Sequence, residues 1–146
     1  MNDNEHFSIL LIEDDELDQE KMTRAVKRLG IDNPLLFAND GLEALELLRS
    51  ENAAGQIGDR VVILLDLNMP RMNGHEFLVE LRQDEHLKRI PVFVMSTSDR
   101  PTDINLAYDN QVTGYVTKPY SMQDTYHTIE ALHRFWTCLR IPTFGY

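Results

Sequence analysis

Five polar residues stand at the ends of apolar runs in this sequence, and their types suit phosphoryl-transfer chemistry. They are Glu13, Asp14, Asp66, Ser96 and Lys118. Clustered carboxylates repel one another, and a hard divalent cation such as Mg²⁺ relieves that repulsion. A carboxylate nucleophile, a metal ion, an ammonium group and a hydroxyl group together form a minimal site for moving a phosphoryl group. If the fold brings these residues together, Asp66 is the expected phosphoryl acceptor.

Any one of these residues, taken alone, is better explained as a solvated side chain at the end of a strand. The whole set, placed at the ends of four separate apolar runs, favours a site instead. Within such a site Lys118 would offset negative charge and hold a phosphoryl oxygen as a compact point charge. Ser96 would donate a hydrogen bond to another oxygen.

The apolar runs that carry these residues predict buried β-strands. Five aliphatic residues, three of them β-branched, occupy positions 61–65 immediately before Asp66. Such a run is typical of a strand buried on both faces. Comparable runs predict further strands at 9–12, 35–38, 91–95 and 114–117.

Segments with apolar residues at helical spacing separate these strands. They predict helices at 17–29, 42–48, 74–82, 103–110 and 121–139. Strands that alternate with helices form parallel βαβ units with right-handed crossovers, so the sequence predicts an α/β fold with a doubly wound, five-stranded parallel sheet. Ligands collect beyond the carboxyl ends of such strands, which is where the five polar residues would meet.

The net charge and the cysteine content of the chain limit which binding partners and which cellular compartment we expect. The 146-residue chain has a net charge of −10 at pH 7 and no cluster of lysine or arginine, which argues against binding to nucleic acid or to an anionic membrane. Cys138 is the single cysteine, so no internal disulfide can form, which fits a reducing cytoplasm. No apolar stretch is long enough for a membrane span. We therefore expect one cytoplasmic domain.

Four motifs give the chain a resemblance to the receiver domains of two-component response regulators. They are Ile-Leu-Leu-Ile-Glu-Asp at 9–14, Asn-Asp-Gly-Leu-Glu-Ala-Leu at 39–45, Leu-Leu-Asp-Leu-Asn-Met-Pro at 64–70 with Asn-Gly at 73–74, and Gly-Tyr-Val-Thr-Lys-Pro at 114–119. The resemblance implies a flavodoxin-like (CheY-like) fold with strand order 2-1-3-4-5. It places the receiver domain at 8–139, with terminal extensions at 1–7 and 140–146.

The resemblance also implies a role for the acidic residues. Asp66 would accept a phosphoryl group from the phosphohistidine of a histidine kinase, which makes the chain a stand-alone signalling protein and not an enzyme beyond its own phosphotransfer and dephosphorylation. Asp14, Asp66 and the backbone carbonyl of Asn68 would bind Mg²⁺. Glu13 would act on the ion through water, although most receivers have Asp at that position. Asp15 is expected to start the following helix, since carboxylates suit the first helical turn.

The remaining implied roles concern phosphoryl binding and signal output. Lys118 would contact the phosphoryl group, placed by a cis bond to Pro119. Ser96 would move toward the phosphoryl group while Tyr115 turns inward behind it, so that a local change of charge biases a two-state surface. Tyr115 could instead be a packed aromatic residue with its hydroxyl in water.

The C-terminal segment is rich in large apolar residues. These residues are either additional core or an exposed interface. The Phe135-Trp136 pair followed by a proline resembles single-domain regulators paired with bacteriophytochrome histidine kinases. Those regulators dimerise through the fourth helix, the fifth strand, the fifth helix and a C-terminal extension. The corresponding homodimer or partner surface here would contain Tyr108, Tyr115, Phe135, Trp136, Ile141 and Phe144.

Two other functions remain open on the sequence. One is a pseudo-receiver, an interaction domain whose site is not phosphorylated. The other is an aspartate-dependent phosphatase of the haloacid-dehalogenase kind, which needs Asp-x-Asp at the strand end. Asn68 stands in place of the second Asp and cannot act as a general acid. The loop at 52–60 has no assigned role.

Overall fold

The computed structural model describes residues 6–50 and 53–145. Its centre is a five-stranded sheet in the order β2-β1-β3-β4-β5, with every neighbouring pair parallel. The strands are β1 (Ser8–Ile12), β2 (Leu35–Ala38), β3 (Val61–Leu65), β4 (Val92–Ser96) and β5 (Gly114–Thr117). The predicted fold class and strand order are confirmed.

Five helices cover the two faces of the sheet. They are α1 (Glu16–Arg28), α2 (Gly41–Arg49), α3 (Gly74–Gln83), α4 (Pro101–Asp109) and α5 (Met122–Cys138). A one-turn helix, Ala53–Gln56, lies between α2 and β3, within the stretch predicted as loop; Asn52 at its start is outside the described residues. Helix α4 begins two residues before its predicted start, because a proline is well suited to the first helical turn.

Strand register brings the polar strand ends into line. Ile12 of β1 is paired with Leu65 of β3, so the residues that follow, Glu13 and Asp66, emerge side by side. The backbone N–H of Asp66 donates to the carbonyl of Ile12 at 3.0 Å. Toward the β5 edge of the sheet, the N–H of Lys118 donates to the carbonyl of Ser96 at 2.8 Å. The predicted juxtaposition is therefore a direct result of the register.

The sheet is covered by a core layer on each face, and β1 and β3 are buried on both sides. Side chains of α2 and α3, including Leu48 and Phe77, pack on one face. Side chains of α1 and α5, including Met22 and Ile129, pack on the other. These two layers fix the strand ends from which the polar residues project.

The C-terminal segment packs against its own chain. Trp136 is fully buried and Ile141 is buried beside it in the same core layer, while Phe144 packs partly against the opposite layer. The N–H of Phe144 donates to the carbonyl of Asp59 at 3.0 Å, before β3, and Arg60 donates to the carbonyl of Ile141 at 3.2 Å. Placing Trp136 and Ile141 on an exposed dimer surface is thus corrected: both are core residues of this chain.

The structure describes no helix, within residues 6–50 and 53–145, that has both the length and the apolar character to cross a membrane.

Candidate functional site

Three carboxylates converge where β1 and β3 end. Glu13, Asp14 and Asp66 each offer an oxygen, and these oxygens all lie within 4.8 Å of one another. Glu13 and Asp66 are 2% and 6% exposed, whereas Asp14 is open to solvent. The structure therefore brings together the three acidic side chains that the sequence singled out.

Burial controls the protonation of this cluster. Burial raises the pKa of Asp66 above its ordinary value, and the nearby charge of Asp14 adds to the rise. The ammonium of Lys118 and the backbone N–H of Asn68 oppose it. Burial likewise raises the pKa of Glu13, and the negative charge of Asp66 raises it further. Such a cluster gains stability from an added positive charge.

The donor set fits a hard divalent cation. All three side chains offer carboxylate oxygens, which suit Mg²⁺ or Mn²⁺, and neither sulfur nor imidazole is among them. The mix of buried and open carboxylates gives a site that can hold an ion and still leave solvent positions, as Mg²⁺ requires. Asn68, the fourth predicted ligand, is exposed two positions after Asp66, and its backbone N–H acts to lower the pKa of the Asp66 carboxyl. Its carbonyl as a ligand remains a prediction.

Lys118 is held by two carboxylates. Its Nζ lies 2.7 Å from Oε2 of Glu13 and 2.7 Å from Oδ2 of Asp18. Burial disfavours the ammonium, but the hydrogen bonds with Asp18 and Glu13 outweigh that effect and raise the pKa of Lys118. Among the described residues, no ion pair within 4.0 Å joins Lys118 to Asp66, although the charge of Asp66 also favours the ammonium.

Asp18 was not singled out as a site residue by sequence reasoning. It lies in the first turn of α1, one helical turn beyond the acidic strand end, and a carboxylate there reads as a helix-starting residue. Asp15 has that role: it is the N-cap and its side chain accepts from the N–H groups of Leu17 and Asp18. A sequence signal for Asp18 did exist: because Asp15 already caps the helix, a second acid in the first turn was free for another role.

The expected cis bond before Pro119 is corrected by the structure. None of the described peptide bonds is cis, so Lys118 reaches its partners through a trans bond. The amine is placed by its two carboxylate partners instead.

Both predicted switch residues are bonded to Ser98. The buried Oγ of Ser96 accepts a hydrogen bond from the N–H of Ser98 at 3.1 Å. The hydroxyl of half-buried Tyr115 donates to the carbonyl of Ser98 at 2.7 Å. The two side chains are therefore connected through one residue of the loop between β4 and α4, and the Tyr115 hydroxyl is not simply in water.

Asp103 anchors that loop to two helices. It accepts hydrogen bonds from the hydroxyl of Ser98 at 2.6 Å and from Arg100 at 3.1 Å, and Nε2 of His75 at the start of α3 lies 3.1 Å away. The hydrogen bond from Ser98, followed by that with His75, lowers the pKa of Asp103 to about 2. His75 and Asp103 also line the cleft beside Asp14 and Asn68. Sequence reasoning gave His75 no such role.

The loop after Asp66 is held by close packing and one ion pair. A Cβ atom at Gly74 would lie 2.6 Å from the carbonyl oxygen of Asp66, so α3 can approach the acceptor only with glycine at this position. Asn73 caps the helix in a capping box with Glu76. Arg71, whose side chain is more than half exposed, pairs with Asp40 at 2.6 Å and has a φ of 62°.

The surface residues of α4 and α5 differ in exposure. Tyr108 is 48% exposed and Phe135 is 46% exposed, so both are accessible to a partner. The ring of Phe135 packs edge-on against Phe93 of β4, with centroids 6.0 Å apart.

Comparison with known proteins gives a consistent result. Residues 9–130 match the response regulator receiver domain family. The chain is 38% identical over 130 residues to the probable methanogenesis regulatory protein FilR2 of Methanothrix harundinacea, covering 89% of this chain and 83% of that protein. It is 35% identical over 128 residues to the response regulator Rcp1 of Synechocystis, covering 88% and 87% respectively.

Solved structures of response regulators superpose on this chain, in agreement with the sequence comparisons. The phosphorylated cyanobacterial phytochrome response regulator RcpA superposes with a TM-score of 0.83 at 35% identity, covering 94% of this chain and 99% of that one. The Mn²⁺-bound form of Rcp1 superposes with a TM-score of 0.80 at 33% identity, covering 93% and 99%. Members of this family are signalling proteins and not typical enzymes. With its converging carboxylates and its parallel sheet, the chain belongs to the response regulator receiver domain family.

Proposed function

We propose that this protein is a response regulator that accepts a phosphoryl group on Asp66 from a histidine kinase, with Mg²⁺ in the site. The observation that carries the proposal is the convergence of Glu13, Asp14 and Asp66 at the end of the sheet, with Lys118 bonded to one of them. The family membership supports it.

In this proposal, a carboxylate oxygen of Asp66 attacks the phosphorus of a phosphohistidine. The new P–O bond forms as the P–N bond breaks, and the imidazole leaves with the bonding electron pair. Asp14 and Asp66 would hold Mg²⁺, which would supply positive charge beside the phosphoryl oxygens. The Asn68 N–H favours the charged Asp66 carboxylate, and Lys118 binds a phosphoryl oxygen. Later attack by water on phosphorus breaks the bond to the Asp66 oxygen, releases inorganic phosphate and restores the carboxylate.

In this proposal, Ser98 connects the phosphorylation site to the output surface, because it bonds to both Ser96 and Tyr115. The Ser96 hydroxyl accepts from the N–H of Ser98 and keeps its own proton to donate to a phosphoryl oxygen. Movement of Ser96 toward that oxygen would stretch or break its bond with Ser98. Such a movement would free the N–H of Ser98, while Tyr115 still bonds to its carbonyl and Asp103 to its hydroxyl. The loop between β4 and α4 then shifts, and the adjoining surface of α4 and β5 changes with it.

For the kinase we propose a light-sensing bacteriophytochrome, with the exchange taking place in the cytoplasm. The likeness to Rcp1 and to the phytochrome response regulator RcpA supports this input. FilR2, a probable methanogenesis regulatory protein, is the alternative precedent at similar identity. Phosphotransfer from a purified phytochrome kinase, compared in light and dark, tests the assignment.

We further propose that the chain forms a homodimer through α4, β5 and α5. Exposed apolar side chains on α4 and α5, namely Leu106, Tyr108 and Phe135, support this surface. The net charge of −10 supports partners other than nucleic acid or membrane.

The proposed acceptor is tested by incubating the protein with Mg²⁺ and acetyl phosphate and measuring its intact mass. One phosphoryl adduct is expected on the parent and none on Asp66→Asn. Asp59→Asn, which removes an exposed carboxylate near the opposite ends of the strands, should keep the adduct. An adduct on Asp66→Asn would mean that another residue is the acceptor. No adduct on the parent with either acetyl phosphate or a kinase donor would favour an interaction domain that is not phosphorylated.

A further inference from the structure

We propose that Asp18 is a positioning residue that holds Lys118 in the unphosphorylated state and competes with the phosphoryl group for its ammonium. The inference rests on the proposed function of Asp66. Asp18 lies on α1, outside the acidic cluster at the strand ends, and reaches Lys118 across the edge of the site.

The contacts at Lys118 show how the competition arises. A lysine ammonium has three N–H donors. One is engaged by Glu13 and one by Asp18, each at 2.7 Å, while Asp66 lies beyond ion-pair distance. Lys118 is therefore paired with Glu13 and with Asp18 of α1, and not with Asp66.

The two partners of Lys118 are not equivalent. Glu13 is almost fully buried beside the metal-binding carboxylates, whereas the Asp18 side chain is 24% exposed at the rim. A cation bound by the cluster would share the charge of Glu13. Asp18 has no place among the three clustered carboxylates, so its charge remains directed at Lys118.

Phosphorylation of Asp66 adds a new acceptor that competes with Asp18 for the ammonium of Lys118. A phosphoryl group brings several strong acceptor oxygens to Asp66, and Lys118 can bind one only by using its remaining donor or by leaving Asp18. Either way, a carboxylate 2.7 Å from the same nitrogen weakens its attraction for the phosphoryl group. Removing that carboxylate should therefore favour the phosphorylated form.

The competition can be measured with beryllofluoride, an anion that mimics a phosphoryl group bound to a carboxylate. The protein is titrated at saturating Mg²⁺, and binding is followed by amide NMR signals of Ser96 and Ser98. Four variants are compared with the parent: Asp18→Asn, Asp18→Glu, Glu16→Gln and Asp18→Asn combined with Lys118→Gln. Glu16→Gln is the matched control, since it removes an exposed carboxylate from the same first turn of α1.

We expect Asp18→Asn to bind beryllofluoride about three- to tenfold more tightly, less than for a fully buried pair because Lys118 and Asp18 are partly exposed. Asp18→Glu should return affinity toward the parent value. Glu16→Gln should differ from the parent by much less. In a Lys118→Gln background, the effect of Asp18→Asn should disappear, which a purely structural role of Asp18 would not produce.

The inference is overturned if Asp18→Asn binds no more tightly than Glu16→Gln, or if its effect persists without Lys118. Circular dichroism of each variant identifies any that do not fold, and Asp18→Ala, which also removes the carboxylate, replaces Asp18→Asn if that variant does not fold. Intact-mass measurement with acetyl phosphate separates the two hypotheses. An adduct on Asp66 with no Asp18 effect removes this inference alone, whereas no adduct on the parent removes the proposed function and this inference with it.

Discussion

Gly74 shows how closely the backbone is packed around the phosphoryl acceptor. Its Cα lies where an added methyl group would meet the carbonyl of Asp66 at 2.6 Å and the Cα of Leu67 at 2.7 Å. Both are backbone atoms that cannot rotate away. The start of α3 and the end of β3 therefore move together, and Asp66 has little freedom to adjust.

We predict that Gly74→Ala lowers the free energy of unfolding by about 1–3 kcal/mol, because overpacking against backbone forces a shift. It should also slow phosphorylation by acetyl phosphate, since Asp66 is displaced. Urea denaturation and intact-mass kinetics measure the two effects. Gly55→Ala is the control, because a Cβ there meets no atom within 4 Å. Equal stability of the two variants would contradict the packing argument.

A second residue-level prediction concerns Asp103 and pH. Its folded-state pKa is about 2, below the value of about 3.9 for an unfolded aspartate. A lowered carboxyl pKa stabilises the fold fully above the unfolded value, and this stabilisation is lost as pH falls through the folded value. The parent should therefore lose stability relative to Asp103→Asn between about pH 4 and pH 2.

Urea denaturation followed by circular dichroism at pH 7, 5, 4 and 3 tests this prediction. Asp109→Asn, at the exposed end of the same helix, is the matched control and should show no such pH-dependent difference. A constant difference between parent and Asp103→Asn over the whole range would show that the carboxylate charge is not involved.

The sequence was enough to predict that Glu13, Asp14, Asp66 and Lys118 are neighbours. Each follows an apolar strand, and the ends of parallel strands meet at one edge of the sheet. The contacts of Asp18 and Asp103 were not predicted. Asp18 meets Lys118, 100 positions later, and Asp103 meets His75 on another helix as well as Ser98 nearby. Sequence periodicity indicates which face a residue occupies but not which partner its oxygen meets.

At the scale of elements, the C-terminal segment has a role in stability. It runs past α5 and reaches the loops before β3 and β4, where Phe144 and Gly145 donate to the carbonyls of Asp59 and His86. These contacts lie at the amino ends of the strands, opposite the carboxylate cluster. The segment therefore covers the core at the end of the sheet that has no acidic site.

We predict that Ile141→Ala lowers the free energy of unfolding by about 2–5 kcal/mol, because it leaves a cavity in a buried layer. Chemical denaturation measures the change. Thr143→Ala, an exposed position two residues later, should alter stability by less than about 0.5 kcal/mol. A small effect of Ile141→Ala would indicate that this segment does not contribute to the core in solution.

Sequence patterns located the five strands and five helices to within a few residues, since burial and helical spacing act locally. They left two alternatives for the apolar C-terminal residues. Trp136 was assigned to the surface, but it packs edge-on against Phe7 and Phe93 in the core layer on one face of the sheet. An apolar residue near a helix end can face either way, and the packing of the sheet decides which.

At the scale of the whole molecule, the sheet order places β2 and β5 at opposite edges. Helices α4 and α5, beside the β5 edge, carry the exposed residues Tyr108 and Phe135, whereas the β2 edge strand exposes Phe37. Both edges are therefore open to a partner, and we expect association at the β5 side.

We predict that the parent sediments as a dimer and that Tyr108→Lys sediments as a monomer, since a lysine ammonium at an apolar interface must be desolvated. Analytical ultracentrifugation at several concentrations measures the change. Phe37→Lys, at an exposed position on the opposite edge strand β2, is the control and should remain dimeric. Dissociation by Phe37→Lys and not by Tyr108→Lys would move the interface to the other edge.

The burial of Trp136 also supplies an optical probe. It is the single tryptophan of the chain, fully enclosed, and its indole nitrogen has no hydrogen-bond partner among the described residues. An indole in such apolar surroundings emits at shorter wavelength than one in water. Because Phe93 belongs to the strand that ends at Ser96, the fluorescence of unlabelled protein would register both unfolding and any displacement of β4.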